Sequence, residues 1–329
     1  MDLTLNDEQL ALRAGVREYL TDRWNAGRLR AATADAAPGA ADWAADWKEL
    51  AELGVFGLIA PEAAGGMGLS LADAAIVGEE LGTALIPGPV VASVLAAGLV
   101  DGAVEGDAIV TMLDTAPGVP LVEHASIATH LVVVDADGLF LRPMAEVAVT
   151  PVETPLDPLT PVALVTTERE PRGQRIGTAA DAAGRLRGTV LTAALQVGVA
   201  RGGLDLAVRY AKERVQFGRA VGGFQAVKHL LAESLARVEL ARAAVLSAAV
   251  IVDDPEAGDP AEAADAAKIL ADHAATAGGR TCVQVHGGMG FTWEVLAHLY
   301  LKRAWVHETA FGTPDAHADF LADRLGPKP

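Results

Sequence analysis

Hydrophobic residues recur at helical spacing near both ends of the chain, whereas the middle alternates between apolar and polar positions. Residues 1–105 read as amphipathic helices, and Asn6 with Gln9 three positions later is typical of a capped helix start. Residues 106–172 hold short β-branched runs such as HLVVVDADGLFLRP, which predict strands joined by a tight hairpin. Residues 173–329 return to long amphipathic segments that predict an antiparallel bundle. The pattern predicts a mainly α fold with a small β unit between two helical domains.

One apolar run is long enough to raise the question of a membrane span. Residues 81–100, LGTALIPGPVVASVLAAGLV, carry no charge over twenty positions. The internal Pro-Gly-Pro divides this run into two short pieces, so we predict a buried helix–turn–helix and no membrane partner. The N-terminal stretch MDLTLNDEQL has no basic region followed by an apolar run, so no signal peptide is expected.

Composition and charge narrow the class of protein. Hydrophobic residues make up 51% of the 329 residues, which favours a large buried core over disorder. The formal net charge of −17 argues against nucleic acid and anionic membranes as partners, so a bound phosphate would need a local cluster of donors. Cys282 is the only cysteine, which excludes an intrachain disulfide and a cysteine-based metal site and fits a cytoplasmic protein.

The stretch AKERVQFGRAVGGFQAVKHLLAE, residues 211–233, combines a helix end, a glycine-containing turn and a new helix start. Arg214 offers a fork of donors suited to phosphate or carboxylate. Gln216 and Phe217 follow with an amide and a ring, and Gln225 falls in the first turn of the next helix. Residue types alone also allow, and slightly favour, a structural interpretation in which Arg214 pairs with a nearby glutamate and Phe217 lies in the core.

A second motif, QVHGGMGF at residues 284–291, is a glycine-rich helix end. Gly287, Gly288 and Gly290 let a backbone approach a ligand closely, and their N–H groups can form an anion-binding nest. The motif is not a nucleotide-binding P-loop, since no Gly-Lys-Ser/Thr follows, and no strand precedes it as in a dinucleotide-binding turn. His286 has no partner at metal-ligand spacing, which favours a structural histidine and predicts no metal site.

Taken together, RVQFG with FQ and then QVHGGMGF resembles the acyl-CoA dehydrogenase family. The N-terminal stretches LNDEQLALRAGVREYL and WKELAELGVFGLIAPEAAGGMGLSLADAAIVGEELG agree, so the resemblance covers both helical ends. It implies an N-terminal helical domain, a middle β domain and a C-terminal four-helix bundle, with FAD as cofactor and an acyl-CoA thioester as substrate. It also implies a set of residues that holds the FAD pyrophosphate of a neighbouring subunit, namely Arg214, Gln216, Phe217, Gln284, Gly287 and Gly288. Gln225 is a further candidate for the adenosine side.

The resemblance also implies a catalytic glutamate that this sequence lacks. Family chemistry uses a carboxylate to remove the α-proton of the thioester while a hydride goes to the flavin. The two family positions of this base correspond to Phe311, in HETAFGTPDA, and to Gly188, and neither residue can accept a proton. In the middle unit, VTMLDTAPGVP replaces the family's Gly-Ser-Asp loop, and no tryptophan occurs between Trp47 and Trp293. The β unit is therefore expected to be truncated and unable to cradle the flavin ring by itself.

These observations lead to one main hypothesis and two alternatives. We expect the non-catalytic subunit of a heteromeric (α2β2) acyl-CoA dehydrogenase, whose full-length homologous partner supplies the base, the flavin-ring pocket and the acyl-CoA pocket. The FTWEVLAHLYLKRAWV tail resembles subunits of actinobacterial enzymes that degrade steroid side chains. One alternative is a self-sufficient homo-oligomeric enzyme with Glu308 as a relocated base, although Glu308 could instead pair with Arg303. The other is a scaffold that keeps the fold and binds no flavin.

Overall fold

The computed structural model divides the chain into two compact units. It describes residues 3–34, 40–115, 120–135, 137–166, 173–178, 183–324 and 326. The first unit comprises Met1–Ala31, Ala75–Ile86 and Thr189–Pro329, and the second comprises Ala32–Ala74 and Pro87–Gly188. Each unit thus combines segments that are distant in sequence, and the division into three consecutive domains at 105 and 172 stays a prediction.

Helices dominate the described part of the chain, and local sequence explains where several of them begin. The Asn6 side chain accepts the N–H of Gln9 at 2.8 Å while the Gln9 side chain accepts the N–H of Asn6 at 3.2 Å, which is the predicted capping box. Asp259 caps a later helix by accepting the N–H groups of Ala261 and Glu262. The α-helices of the described ranges are α1 (Asp7–Arg23), α2 (Ala26–Ala34), α3 (Ala40–Glu52), α4 (Leu71–Thr83), α5 (Val90–Ala96), α6 (Ala183–Glu213), α7 (Gln225–Asp253), α8 (Pro260–His286), α9 (Ala297–His307) and α10 (Pro314–Arg324).

The first unit is a bundle of long helices packed through small residues. Helices α6, α7 and α8 follow one another through short connections, so α6 and α8 finish at the end of the bundle where α7 begins. Two glycines of α6 permit close approach. A Cβ at Gly198 would lie 2.0 Å from the carbonyl oxygen of Glu79, and one at Gly202 would lie 2.4 Å from the ring of Tyr300. This architecture confirms the mainly α fold with a C-terminal bundle.

The second unit contains two small sheets. The larger sheet has the order β1 (Val110–Asp114), β3 (His130–Asp135), β4 (Gly138–Pro143) and β7 (Gln174–Thr178). Strand β1 is parallel to β3, and the remaining neighbours in this sheet are antiparallel. The smaller sheet is antiparallel, with the order β2 (Leu121–Glu123), β6 (Val162–Val165) and β5 (Val149–Pro151). Successive residues Leu131 and Val132 enter two different apolar clusters, so both faces of the larger sheet are covered.

Three regions test the finer predictions about local structure. Asp135 pairs with Gly138 at the predicted hairpin, and the sheet continues past residue 172 because β7 pairs with β4. In the apolar run 81–100, α4 ends at residue 83 and α5 begins at residue 90, which confirms the predicted helix–turn–helix. Among the described residues, Gly184–Glu213 is long and apolar enough to cross a membrane, but 83% of its most apolar window is buried, as in a core helix.

Candidate functional site

A tight hairpin follows α6 and presents an exposed phenyl ring. Strand β8 (Val215–Gln216) pairs with β9 (Arg219–Ala220), and the turn residues Phe217 and Gly218 have φ angles of 53° and 78°. Two consecutive positive φ angles are typical of a type I′ turn, and the left-handed conformation costs a phenylalanine about 1–3 kcal/mol. The Phe217 side chain gains little burial in return, since it is 92% exposed. Phe217 therefore combines a strained backbone with an exposed ring, and its burial in the chain does not offset the strain.

Polar donors surround the hairpin and have few partners within the chain. The Arg214 side chain is exposed, and no hydrogen bond or ion pair reaches its guanidinium from any residue that the structure describes. Gln216 donates its amide N–H to the carbonyl of Val215 at 2.8 Å, which leaves its amide oxygen outward. Helix α7 begins at Gln225 without a side-chain cap, so its first N–H groups and the positive end of its dipole are available to an anion.

The glycine-rich motif closes α8 with a short 3-10 helix, Gly287–Phe291. Gly287 has φ 61° and ψ −140°, a combination that only glycine adopts without strain. A Cβ at Gly287 or Gly288 would meet nothing within 4 Å, whereas one at Gly290 would lie 2.6 Å from a carbonyl oxygen of α8. Gly287 and Gly288 therefore present open backbone to a ligand, with the exposed Gln284 nearby, while Gly290 is required for packing.

The two motifs meet at one end of the bundle. The rings of Tyr210, near the end of α6, and His286, at the end of α8, have centroids 4.2 Å apart. His286 donates Nδ1–H to the carbonyl of Cys282 at 2.8 Å, and burial lowers the pKa of the imidazole, so His286 is a neutral structural residue as predicted. Burial raises the pKa of the Cys282 thiol to about 12, which makes it unreactive.

We call this surface the clamp end, and it consists of Arg214, Gln216, Phe217, Gln225, Gln284, Gly287 and Gly288. Its local charge is opposite to that of the whole chain, whose net charge is −17. Between residues 209 and 230 one acidic residue, Glu213, stands against five basic ones. These basic residues are Arg209, Lys212, Arg214, Arg219 and Lys228. The clamp end is therefore the kind of local donor cluster that a phosphate would need on this chain.

The two positions that the resemblance assigns to a catalytic base carry no ionisable group. Phe311 lies half-buried in the turn after α9 with φ 60°, and Gly188 is buried within α6. Glu308 ends α9 and is half-buried. The guanidinium of Arg303, which the sequence offered as a partner for Glu308, donates to the carbonyl oxygen of Ile86 at 2.9 Å.

A buried polar network lies against the end of α9, and sequence reasoning missed it. Lys268 and Asp272 are fully buried, with Nζ 2.6 Å from Oδ2, and Lys268 also donates to the carbonyl of His307 at 3.1 Å. Gln196 donates to Asp272 and to the carbonyl of Ala304, both at 2.9 Å. Burial raises the pKa of Asp272 to about 6 and lowers that of Lys268. The sequence signal was a Lys and an Asp four positions apart on the alanine-rich face of α8.

A second buried pair holds the following turn. His317 Nδ1 on α10 lies 2.5 Å from the Asp265 carboxylate on α8, and burial lowers the pKa of His317. Gly312 lets the imidazole pack under the turn, because a Cβ there would lie 2.8 Å from Nε2. We call residues 308–313 the Phe311 turn. Buried polar side chains of α8 and α10 pack against this turn.

Comparison with known proteins assigns the chain to a family. Residues 6–103 match "Acyl-CoA dehydrogenase, N-terminal domain" and residues 175–326 match "Acyl-CoA dehydrogenase, C-terminal domain". Acyl-CoA dehydrogenase IpdE2 of Mycobacterium tuberculosis is 36% identical over 275 residues, covering 78% of this chain and 79% of IpdE2. The chain belongs to the acyl-CoA dehydrogenase family. This is a family of FAD-dependent oxidoreductases that act on CH–CH bonds, so the resemblance stated from the two motifs is confirmed.

Further relatives define the length and the fold of the match. Acyl-CoA dehydrogenase FadE34 of Mycobacterium tuberculosis is 36% identical over 92% of this chain, which spans only 46% of the length of FadE34. A variant of the Tcur3481–Tcur3483 steroid ACAD superposes with a TM-score of 0.82 at 27% identity over 98% of each chain. The ChsE4–ChsE5 complex from Mycobacterium tuberculosis shares the fold, with a TM-score of 0.83 at 23% identity over 100% of each chain.

The residues of the clamp end fit the chemistry of the family cofactor. A pyrophosphate needs N–H donors and cationic charge, and the clamp end has an exposed guanidinium, two open glycines and an uncapped helix start. At the Phe311 turn, Glu308 is the one carboxylate between residues 308 and 313, and Phe311 itself cannot accept a proton.

Proposed function

We propose that this acyl-CoA dehydrogenase chain is the non-catalytic subunit of a heteromeric, FAD-dependent enzyme that desaturates an acyl-CoA thioester between its α and β carbons. The single observation that carries the proposal is a contrast within one chain. At the clamp end, the Arg214 guanidinium is exposed and has no partner among the residues that the structure describes, while the positions that the resemblance assigns to the base hold Phe311 and Gly188. A chain that retains the cofactor contact and lacks the base is useful only beside a second chain that has one.

The clamp end would hold the pyrophosphate of an FAD bound mainly by the partner. Arg214 would give a charge-assisted fork, and the backbone at Gly287 and Gly288, where an added Cβ would meet nothing within 4 Å, would let the pyrophosphate approach closely. Each hydrogen bond to a charged group contributes about 1.5–3 kcal/mol, so a few of them fix the cofactor firmly. Phe217 and Gln225 would cover the adenosine side, which accounts for an exposed ring on a strained backbone.

The base would come from the partner. The α-proton of a thioester is weakly acidic, so its removal needs a carboxylate placed within hydrogen-bonding reach in a site that excludes water. Bound FAD supplies the hydride acceptor for this chemistry. In this chain the carboxylate of Glu308 lies close enough to the buried Lys268–Asp272 pair to shift the pKa of both residues, which argues for a structural role.

The relatives support a partner and a substrate class. Two of the matched structures carry the names of two chains each, Tcur3481–Tcur3483 and ChsE4–ChsE5, and the first is described as a steroid ACAD. We therefore propose a full-length homologous partner in an α2β2 assembly and a CoA thioester of a steroid side chain as substrate.

Co-purification tests this function. The chain is expressed alone and together with a full-length homologous chain that bears a glutamate at its own base position, and FAD content and acyl-CoA oxidation are measured. We expect the complex to carry FAD and turn over, and the chain alone to do neither. Full FAD occupancy and turnover by the chain alone would sink the proposal.

The relocated-base alternative has its own test, in whichever preparation is active. Glu308→Gln keeps the size of the side chain and removes its ability to accept a proton. We expect an unchanged rate, because the proposed base belongs to the partner. A loss of turnover with FAD still bound would favour a self-sufficient enzyme, provided that thermal unfolding shows the variant to be as stable as the wild type.

A further inference from the structure

A second arginine, Arg219, lies on the same hairpin as Arg214 and is outside the set that the resemblance assigns to FAD. In the β8–β9 pair, Gln216 is directly opposite Arg219, and residues directly opposite each other in an antiparallel pair share one face. The N–H of Val221 donates to the carbonyl of Arg214 at 2.8 Å, which extends the pairing by one position on each strand. Because residues two apart along a strand share a face, Arg214, Gln216 and Arg219 lie on one face of the hairpin.

An aromatic ring at the start of α7 holds the Arg219 guanidinium in place. The Cζ atom of Arg219 lies over the ring of Phe224, 4.1 Å from the ring centroid. Phe224 is half-buried at the N-cap of α7, and its N–H donates to the carbonyl of Val221 at 3.1 Å. The same ring meets Phe217 edge to face, with centroids 6.1 Å apart. The attraction between a cation and an aromatic face uses none of the five N–H donors of the guanidinium, so these stay available to a ligand.

These donors have no acceptor in the part of the chain that the structure describes. Arg219 is exposed, and no hydrogen bond or ion pair from a described residue reaches the guanidinium of Arg219 or of Arg214. Acidic residues outnumber basic ones by 43 to 26 in this chain, so acidic partners are abundant and neither arginine uses one. Two guanidiniums on one face of a short hairpin repel each other, and an anion bound between them would remove that repulsion.

The spacing of the two arginines indicates the kind of anion. Arg214 and Arg219 occupy diagonal positions of the ribbon, where backbones lie about 7–8 Å apart and long side chains can reach a common ligand. A guanidinium binds a phosphate group through a fork of two N–H donors. Two such forks on one face suit an anion with two linked phosphate groups better than a single carboxylate.

We propose that Arg219 is a second arginine for the diphosphate of FAD, so that Arg214 binds one phosphate group and Arg219 binds the other. Phe224 is the positioning residue that holds Arg219 beneath the diphosphate. This inference rests on the proposed function and adds to it one contact residue and one positioning residue.

Release of FAD from the assembled complex tests Arg219. The complex is diluted in steps and the freed FAD is measured by its fluorescence, for the wild type, Arg219→Gln, Arg214→Ala and Arg280→Gln. Arg280→Gln is the matched control, because Arg280 is an exposed arginine of α8 outside the hairpin. We expect Arg219→Gln to lower FAD affinity about tenfold and the control to leave it unchanged.

The result for Arg214→Ala separates this inference from the proposed function. A loss of FAD affinity in Arg214→Ala with wild-type affinity in Arg219→Gln overturns this inference and leaves the proposed function standing. Undiminished affinity in both variants overturns both. A loss in Arg280→Gln equal to that in Arg219→Gln also overturns the inference, because it would show that any surface arginine has the same effect.

A double-mutant cycle tests the positioning role of Phe224. Phe224→Leu keeps an apolar side chain and removes the aromatic face, so FAD affinity should fall about threefold, whereas Phe224→Tyr keeps the face and should retain wild-type affinity. In an Arg219→Gln background, the loss caused by Phe224→Leu should be clearly smaller, since the residue that it positions is already gone. Equal losses from Phe224→Leu in both backgrounds, or no recovery in Phe224→Tyr, contradict the positioning role.

Discussion

The clamp end and the Phe311 turn differ in how their polar groups are used. At the clamp end, the Arg214 guanidinium is exposed and has no hydrogen-bond or ion-pair partner in the part of the chain that the structure describes, and Phe217 keeps a strained backbone with an exposed ring. At the Phe311 turn, buried groups of α8 satisfy the last carbonyls of α9, and His317 packs beneath Gly312. The second region uses its polar groups to hold its own shape, and the first leaves a guanidinium and a ring exposed. Under the proposed function, this difference separates cofactor contact from acid–base chemistry, with the base on a second chain of the same fold.

The largest effect is expected from the network under the Phe311 turn. Lys268→Met leaves the Asp272 carboxylate buried without its counter-charge, which should lower the free energy of unfolding by about 3–5 kcal/mol. Urea unfolding followed by circular dichroism measures it. Lys212→Met, at an exposed lysine of α6, is the control and should stay within about 0.5 kcal/mol of the wild type. A loss below about 1 kcal/mol for Lys268→Met would mean that the turn is not held by this pair.

A pair of glycine substitutions sharpens the comparison inside one motif. Gly290→Val forces a side chain against a carbonyl of α8 and should cost about 1–3 kcal/mol of stability. Gly288→Val points into open space, so stability should stay within about 0.5 kcal/mol, yet the side chain blocks a ligand from the backbone. FAD content of the complex should fall in Gly288→Val. Normal FAD content in that variant would contradict the role given to the open backbone.

A smaller effect is expected at the strained hairpin. Phe217→Asn replaces a residue that is strained at φ 53° with one that tolerates this region, so the isolated chain should gain up to about 1 kcal/mol. The same change removes an exposed ring, so assembly with the partner or retention of FAD should weaken. Analytical ultracentrifugation and flavin absorbance measure these outcomes. A marked loss of chain stability would show that Phe217 serves the fold instead.

No change is expected from restoring an acid at the Phe311 turn. Phe311→Glu places a carboxylate at the family position, but the flavin-ring pocket is assigned to the partner, so the isolated chain should still not oxidise acyl-CoA and the complex should keep its rate. Stopped-flow bleaching of flavin absorbance checks both. Gain of turnover by the isolated chain would show that only the base had been missing.

The local backbone of the clamp end was predictable from sequence because it depends on local signals, whereas the FAD contacts assigned to it come from the family resemblance and stay a prediction. Glycines that close a helix, an arginine at a helix end and a short hairpin all occur within a few residues of one another. That both motifs lie at one end of the bundle follows from the order of α6, α7 and α8, each long enough to cross the unit. The capping box at Asn6 was likewise local.

The Phe311 turn was not predictable in the same way. Lys268 is paired within α8, but its acceptor on α9, the carbonyl of His307, is thirty-nine positions away. Backbone carbonyls carry no sequence signal, so this contact emerges only from packing. The sheet likewise continues past residue 172 because β7 pairs with β4, and the paired residues lie 33 (Leu141 with Gln174) to 40 (Gly138 with Thr178) positions apart in sequence.

The proposed contact with FAD depends most on Arg214, and the amount of FAD bound per complex tests this contact. The complex is assembled with wild-type chain, with Arg214→Ala and with Arg280→Gln as the matched control, and FAD per complex is read from absorbance after gel filtration. We predict intact assembly in all three, with FAD affinity at least about tenfold lower in Arg214→Ala alone. Intact assembly with undiminished FAD in Arg214→Ala would contradict the central claim and leave the chain as a scaffold that does not touch the flavin.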